Sequence, residues 1–210
     1  MSKILAILGA GHLGQQIAHY AISDNHYEDI VFFDDFTSED QINGFRVLGT
    51  TKDIEIEYEK KTFDELIIGI GYKHLKTRKN LFERFISSIP FGKVVHSSAW
   101  IDHTAKIENG CVIYPMCAVD ANSVIGVNTI LNVGCIVAHD TIVGKHCFLS
   151  PRVALAGFIE IGELCILGIN ATVIDNLKIT SETQIGGGTV VIKEILNSGL
   201  YVGNPHRFIR

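Results

Sequence analysis

The stretch VDANSVIGVNTILNVGCIVAHDTIVGKHCFLSPRVAL, residues 119–155, decides the fold of the second half of this chain. An aliphatic residue returns at every sixth position of it, and this register runs without insertion from Val95 to Val191. The seventeen positions are Val95, Ile101, Ile107, Ile113, Val119, Ile125, Leu131, Val137, Val143, Leu149, Leu155, Ile161, Leu167, Val173, Ile179, Ile185 and Val191. A period of six fits neither a helix nor an alternating strand, so it indicates a stacked solenoid.

A second column of the repeat lies four residues after each aliphatic and is mostly small. All five cysteines of the chain fall in it. Each hexad is predicted to form one short strand and a turn, and three hexads to close one coil of triangular section. The 97 residues from 95 to 191 then form between five and six coils. We therefore expect the cysteines to be buried apolar side chains rather than metal ligands or nucleophiles.

The first ninety residues predict a separate α/β domain with a short parallel sheet. The apolar run 3–8 leads into Gly9-Ala10-Gly11-His12-Leu13-Gly14, a G-x-G-x-x-G turn. Further elements are predicted as a helix over Gln15–Ser23, strands at Ile30–Phe33, Leu66–Ile70 and Lys93–His96, and an amphipathic helix over Lys73–Ser88. The predicted domains are residues 1–94, Rossmann-like, and residues 95–210, the solenoid with a C-terminal tail.

The glycine turn predicts a phosphate site at the start of a helix. Asp34 follows about twenty residues later, at the end of the second strand, where an acidic side chain commonly meets a ribose or a base edge. The motif alone suggests NAD. The domain is too short for a second mononucleotide unit, however, so a single nucleotide such as a nucleotide diphosphate sugar fits better.

Composition and charge exclude several classes of function. The formal net charge of −5 argues against a nucleic-acid-binding protein. The sequence has no run of about 18 apolar residues, so we expect no membrane span. Five cysteines without a Cys-x-x-Cys pair predict neither a disulfide framework nor structural zinc, and favour a reducing cytoplasm.

His139 is the best candidate base among the nine histidines. It falls at a predicted turn of the solenoid and is followed directly by Asp140, whose carboxylate can orient an imidazole. His146 and His206 are expected on the surface. One coil after His139 the sequence has Gly157.

Together these features resemble the PglD/VioB/NeuD-like sugar acyltransferases, over nearly the whole chain. The motifs that carry the resemblance are the glycine turn, Phe32-Phe33-Asp34-Asp35-Phe36, Ile68-Gly69-Ile70-Gly71, Ala138-His139-Asp140, Gly186-Gly187-Gly188 and Gly203-Asn204-Pro205. The resemblance implies a left-handed β-helix, a homotrimer, acetyl-CoA or another acyl-CoA held between neighbouring solenoids, and a nucleotide-linked amino sugar as acceptor. It implies no metal.

The resemblance also implies a role for individual residues. His139 is the expected general base and Asp140 its partner, while Gly157 offers a backbone N–H to the thioester carbonyl. The remaining expected contacts are Gly11, His12, Leu13, Asp34, Asp35 and Gly71 for the nucleotide sugar, and Phe148, Gly157, Ile169, Gly187, Gly188 and Pro205 for acyl-CoA.

Two departures from the family pattern leave the identity of the transferred acyl group undecided. Members of the family often have a second histidine nine residues after the base, where this chain has Phe148, and a small residue where it has Arg152. The sugar, the nucleotide and the choice between an amine and a hydroxyl acceptor, as in sialic acid O-acetylation, also stay open.

Two rival functions remain. The γ-class carbonic anhydrases are also left-handed solenoids and bind zinc through three histidines. Here His103 lies 36 residues before His139, but Gly144 stands at the third position, which leaves zinc one protein ligand short. A non-catalytic nucleotide-binding solenoid is the second rival, and the His139–Asp140 pair argues against it.

Overall fold

The computed structural model describes residues 3–210, and the chain divides into two compact units between Val94 and Val95. Each unit has its own apolar interior. The glycine turn lies in the first unit and the hexad repeat in the second.

The N-terminal unit is a five-stranded sheet with helices. Its elements are β1 (Ile4–Leu8), α1 (His12–Ser23), β2 (Asp29–Phe33), β3 (Gln41–Ile42), β4 (Phe45–Gly49), α2 (Ile54–Glu59), β5 (Glu65–Ile68), a 3₁₀ turn (Tyr72–His74) and α3 (Leu75–Phe85). The strand order is β3-β4-β2-β1-β5, and all neighbours are parallel except the β3–β4 pair. The ends of β1, β2 and β5 therefore meet at one edge of the sheet.

The helices of this unit differ from the predicted bounds. The first begins at His12 rather than Gln15, directly after the glycine turn. The predicted helix over Lys73–Ser88 is wrong at both ends. It starts as a 3₁₀ turn and its α-helical part ends at Phe85, whose carbonyl accepts the N–H and hydroxyl of Ser88.

The C-terminal unit is built from short strands that pair in parallel except for the last, and the first of them begins one residue before the unit boundary. They are β6 (Val94–Val95), β7 (Trp100–Ile101), β8 (Lys106–Ile107), β9 (Val112–Ile113), β10 (Ala118–Val119), β11 (Val124–Ile125), β12 (Ile130–Leu131), β13 (Ile136–Val137), β14 (Ile142–Val143), β15 (Phe148–Leu149), β16 (Ala154–Leu155), β17 (Glu160–Ile161), β18 (Ile166–Leu167), β19 (Thr172–Val173), β20 (Lys178–Ile179), β21 (Thr183–Ile185), β22 (Val190–Val191), β23 (Gly199–Val202) and β24 (Arg207–Phe208).

These strands form the three faces of a left-handed β-helix, as the resemblance implies. Face I stacks β7, β10, β13, β16, β19 and β22, face II stacks β8, β11, β14, β17 and β20, and face III stacks β6, β9, β12, β15, β18, β21, β23 and the antiparallel β24. Val137 pairs with Val119 below and Leu155 above, a spacing of 18 residues. The predicted three-hexad coil is confirmed.

From Gly110 to Gly188, each corner of the solenoid turns through a residue with positive φ. These residues recur every sixth position. Seven are Gly or Asn, which tolerate the left-handed region; the other seven are Met116, Asp140, His146, Arg152, Phe158, Leu164 and Glu182. The corners therefore set φ for Asp140, the predicted partner of the base, and for Phe158, which follows Gly157.

The interior of the solenoid follows the repeat. The hexad aliphatics from Ile113 to Val191 are at most 3% exposed, and all five cysteines are buried and outside any disulfide, which confirms their predicted packing role. The predicted surface position of His146 is wrong, because this residue is 2% exposed. Its Nδ1 lies 3.0 Å from Nδ2 of Asn128, one coil below in the same corner. No helix among residues 3–210 is long and apolar enough to cross a membrane.

Candidate functional site

The glycine turn after β1 is required by close packing. Gly9 has a φ of +106°, and a Cβ on Gly14 would lie 1.9 Å from the carbonyl oxygen of Gly9. Gly11 is different, because its φ is −70° and a Cβ there would meet nothing within 4 Å. The fold thus requires glycine at positions 9 and 14, whereas the backbone at Gly11 has room for a side chain.

The turn presents the N-terminus of α1. Within the described part of the chain, no side chain caps this end, and no acidic residue lies in the first turn. The first N–H bonded inside the helix is that of Gln15, to the carbonyl of Gly11. The preceding N–H groups and the helix dipole form a ready site for an anion such as phosphate.

A cavity of about 540 Å³ lies at this edge of the sheet. All six residues expected to contact the nucleotide sugar line it: Gly11, His12, Leu13, Asp34, Asp35 and Gly71. Gly71 resembles Gly11, because its φ is negative and a Cβ there would also meet nothing within 4 Å. Phe36, which belongs to a motif of the resemblance but was given no expected contact, also lines the cavity. Thr51, His74 and Thr77 line it as well, and no motif indicated them.

The carboxylates of Asp34 and Asp35 accept hydrogen bonds from the loops that line this cavity. Asp34 Oδ2 accepts the N–H of Ala10 at 2.7 Å, and its Oδ1 accepts the N–H of Phe36 at 2.8 Å. Asp35 accepts the N–H of Thr51 at 2.7 Å and its hydroxyl at 2.6 Å. A ligand can therefore use only the remaining lone pairs of these carboxylates. Their first role is to position the loops.

The His139–Asp140 pair lies at the corner between faces I and II. His139 Nδ1 is 2.9 Å from Asp140 Oδ2, while Asp140 Oδ1 accepts the side-chain amide of Asn122, one coil below, at 3.1 Å. The bonds from His139 and Asn122 lower the pKa of the Asp140 carboxyl. An ionised Asp140 that accepts Nδ1–H leaves Nε2 of His139 with a free lone pair, as a general base requires.

Gly157 lies one coil above and has no room for a side chain. A Cβ would lie 2.7 Å from Cε1 and 2.9 Å from Nε2 of His139. The Phe158 ring meets the imidazole edge-on, at 5.1 Å between centroids. Among residues 3–210, no acceptor takes the Gly157 N–H. A proton acceptor and a spare N–H donor thus lie side by side.

Most of the residues expected to bind acyl-CoA lie at another corner. Ile169, Gly187 and Gly188 stack at the corner between faces III and I, where the Gly188 N–H bonds the Ile169 carbonyl at 2.8 Å. Ile169 is 52% exposed. Pro205 is exposed. It lies between Gly203 and His206, whose backbone groups hydrogen-bond to Val190 just beyond this corner. Phe148 is buried in face III, at 6% exposure.

Within one chain, face I therefore separates His139 from this second corner. A face of five to six residues spans roughly 15–20 Å at about 3.3 Å per residue. The structure brings the nucleotide-sugar residues together and brings His139 to Gly157, but it leaves Ile169 and Gly187 on a different edge.

The zinc alternative depends on His103, two coils below His139 at the same corner. Its side chain is 90% exposed, and its Nδ1 lies 3.5 Å from Asp102. Residues 3–210 contain no group of three His, Cys, Asp or Glu side chains placed to hold a metal ion.

Comparison with known proteins gives a family match for the first unit and similar solved structures for the whole chain. The PglD N-terminal domain family matches residues 4–85. The acetyltransferase domain of PglB from Neisseria gonorrhoeae FA1090, solved with acetyl coenzyme A, is 27% identical, with both chains covered over 100% and a TM-score of 0.92.

Two further solved structures cover the chain over nearly its whole length. PerB from Caulobacter crescentus, solved with CoA and GDP-perosamine, is 26% identical over 98% of this chain and 97% of its own, with a TM-score of 0.90. WeeI from Acinetobacter baumannii AYE, at 23% identity over 98% and 99% and a TM-score of 0.84, shares the fold. Residues 4–85 of this chain thus match the PglD N-terminal domain family, and the chain as a whole shares the fold of the PglB acetyltransferase domain and of PerB.

Proposed function

We propose that this protein transfers the acetyl group of acetyl-CoA to the amino group of a nucleotide-linked amino-deoxy sugar, with His139 as general base. The observation that carries this proposal is the His139–Asp140 pair, whose free Nε2 lies against Gly157. The similar PglB domain was solved with acetyl-CoA, and PerB with CoA and GDP-perosamine, which supports the same two substrate classes here.

In this mechanism, Nε2 of His139 accepts a proton from the amine as the nitrogen attacks the thioester carbonyl. The Gly157 N–H donates to the carbonyl oxygen, where negative charge develops. His139 then gives its proton to the departing CoA sulfur, so an amide and a free thiol are formed and the base is regenerated. Asp140 stabilises the imidazolium between these two steps.

The acceptor occupies the cavity of the N-terminal domain. The N-terminus of α1 binds the phosphates, and the open sides of Gly11 and Gly71 allow close approach of the ligand to the backbone. Acyl-CoA runs along the corner formed by Ile169, Gly187 and Gly188. The five cysteines are outside any disulfide, which fits a reducing cytoplasm. The product of the proposed reaction is an activated sugar for glycan synthesis.

We further propose a homotrimer in which neighbouring copies complete each active site. The base and the CoA corner lie on different edges of one solenoid, so a second copy must supply one of them. Face I offers a suitable contact surface, since its outward side chains are Trp100, Ala118, Ile136, Ala154, Thr172 and Val190. Trp100 is 56% and Ile136 is 50% exposed in the single chain.

Thiol release with several acyl-CoAs and UDP-, dTDP- and GDP-linked sugars tests the reaction. Each sugar is offered with an amine and with a hydroxyl at the accepting carbon, and mass spectrometry locates the acyl group. Acetylation of an amine is expected. Transfer only to a hydroxyl would refute N-acetylation, and absence of thiol release with every pair would refute catalysis.

Mixed assemblies test the shared site. His139→Ala and Ile169→Glu are each expected to lose nearly all activity in this assay. Refolded together at equal amounts, they should recover about a quarter of the wild-type sites, since each site needs one intact half from each of two copies. A monomeric mass in light scattering with full activity, or no recovery on mixing, would refute the shared site.

A further inference from the structure

Phe36 is the most exposed large apolar side chain among residues 3–210. It is 97% exposed, while the next, Met116, is 73% exposed. The ring also lines the cavity of the N-terminal domain. Burial of an aromatic ring is favourable, so folding of this chain gains nothing from holding Phe36 in water. A ligand that covers the ring would gain that free energy.

The backbone beneath this ring is fixed. Asp34 Oδ1 accepts the N–H groups of Phe36 at 2.8 Å and of Thr37 at 3.2 Å. The other oxygen of Asp34 accepts the N–H of Ala10 in the glycine turn at 2.7 Å. One carboxylate therefore ties the backbone of Phe36 to the loop that precedes α1.

The position of Phe36 matches one part of a nucleotide. In a β-α-β unit, phosphates lie at the N-terminus of the first helix and the ribose lies near the end of the second strand. Phe36 lies three residues beyond the end of β2. The base is the part of the ligand that follows the ribose, and every base has a flat face that stacks on an aromatic ring.

We propose that Phe36 stacks against the base of the nucleotide-linked acceptor. This inference rests on the proposed function, because it assigns a contact within the acceptor site. Stacking alone accepts every base, and a purine covers more of the ring than a pyrimidine does. Phe36 therefore contributes affinity for the nucleotide and favours purines.

Calorimetric titration with GDP, UDP and inorganic pyrophosphate tests this contact without requiring turnover. Phe36→Ala should weaken GDP binding by roughly 5- to 150-fold, the range for loss of one stacked base, and weaken UDP binding less. Pyrophosphate has no base, so its affinity should not change. Phe36→Trp should restore nucleotide binding. Phe208→Ala, which removes a 57% exposed ring from the other unit, is the matched control and should leave all three affinities unchanged.

The outcomes separate this contact from the proposed function. Equal GDP affinity in Phe36→Ala and the wild type would overturn the stacking and leave the acceptor class intact. A parallel loss of pyrophosphate binding would show that the glycine turn had moved, and would also overturn it. If the wild type binds pyrophosphate but no nucleoside diphosphate, both the acceptor class and the stacking contact are wrong. Thermal melting should be unchanged by Phe36→Ala, since the ring packs against little.

Discussion

Gly157→Ala is expected to displace His139, the proposed base, without disturbing the fold. The new methyl group would lie 2.7 Å from Cε1 and 2.9 Å from Nε2 of His139. Ordinary contact begins near 3.4 Å, so the imidazole must move by about 0.7 Å. Gly157 does not have a positive φ, so its backbone accepts alanine, and the half-exposed imidazole is free to swing aside.

The size of the effect follows from this displacement. A misplacement of about 1 Å in a reacting group costs on the order of 10²-fold in rate. We therefore expect kcat to fall about 10- to 100-fold, with little change in the melting temperature. Alanine keeps the backbone N–H, so the loss measures the position of His139 and not the loss of the proposed N–H donor.

The double variant His139→Ala/Gly157→Ala decides whether the effect passes through the imidazole. Without the ring, the methyl group has space, so Gly157→Ala should add no further loss to His139→Ala. The assay is initial-rate thiol release at saturating acyl-CoA and acceptor. The same fold-loss in both backgrounds would refute the reasoning, as would wild-type kcat in the single variant.

The remaining predictions use the same assay. His139→Ala should lower kcat by about 10²–10⁴, and a variant that keeps more than about a tenth of wild-type kcat would show that His139 is only a turn residue. Asp140→Asn should lower kcat less than His139→Ala does. In the wild type, the bonds from His139 and Asn122 lower the pKa of Asp140, so its carboxylate should stay ionised, and keep bonding His139, down to pH values below the ordinary carboxyl range. Asn122→Gly keeps the positive φ and removes one bond to Asp140, so kcat should fall a few-fold with KM unchanged; a KM effect alone would refute a positioning role. Gly11→Ala should raise the acceptor KM with no loss of melting temperature, whereas Gly14→Ala should unfold the glycine turn; equal melting losses would contradict the distinction between them.

Much of the architecture is predictable from the sequence because the repeat is a local property. The hexad places one aliphatic inward at every turn, and only an 18-residue coil lets those side chains stack in register, as the pairing of Val119, Val137 and Leu155 confirms. The buried cysteine column follows for the same reason. The glycine turn is equally local, since close packing of Gly14 on Gly9 involves residues five apart.

Element ends and polar burial are less predictable from sequence. The helix predicted over Lys73–Ser88 has an apolar face throughout, but its ends depend on bonds to Gly71 and Phe85 that the pattern does not encode. His146 looks like a surface residue in sequence. Its burial depends on Asn128, which only the 18-residue stacking brings beneath it.

The sequence alone determined the two-domain order, the coil length and the candidate base beside its carboxylate, because each is set by residues close together in the chain. Only the tertiary structure decided how those residues are used. In the folded chain, Asp34 accepts the backbone N–H groups of Ala10 and Phe36. Gly157 lies against the His139 ring, and a whole face of the solenoid separates that ring from Ile169. These relations join residues far apart in sequence, and they depend on how strands stack and corners align, which no local pattern specifies.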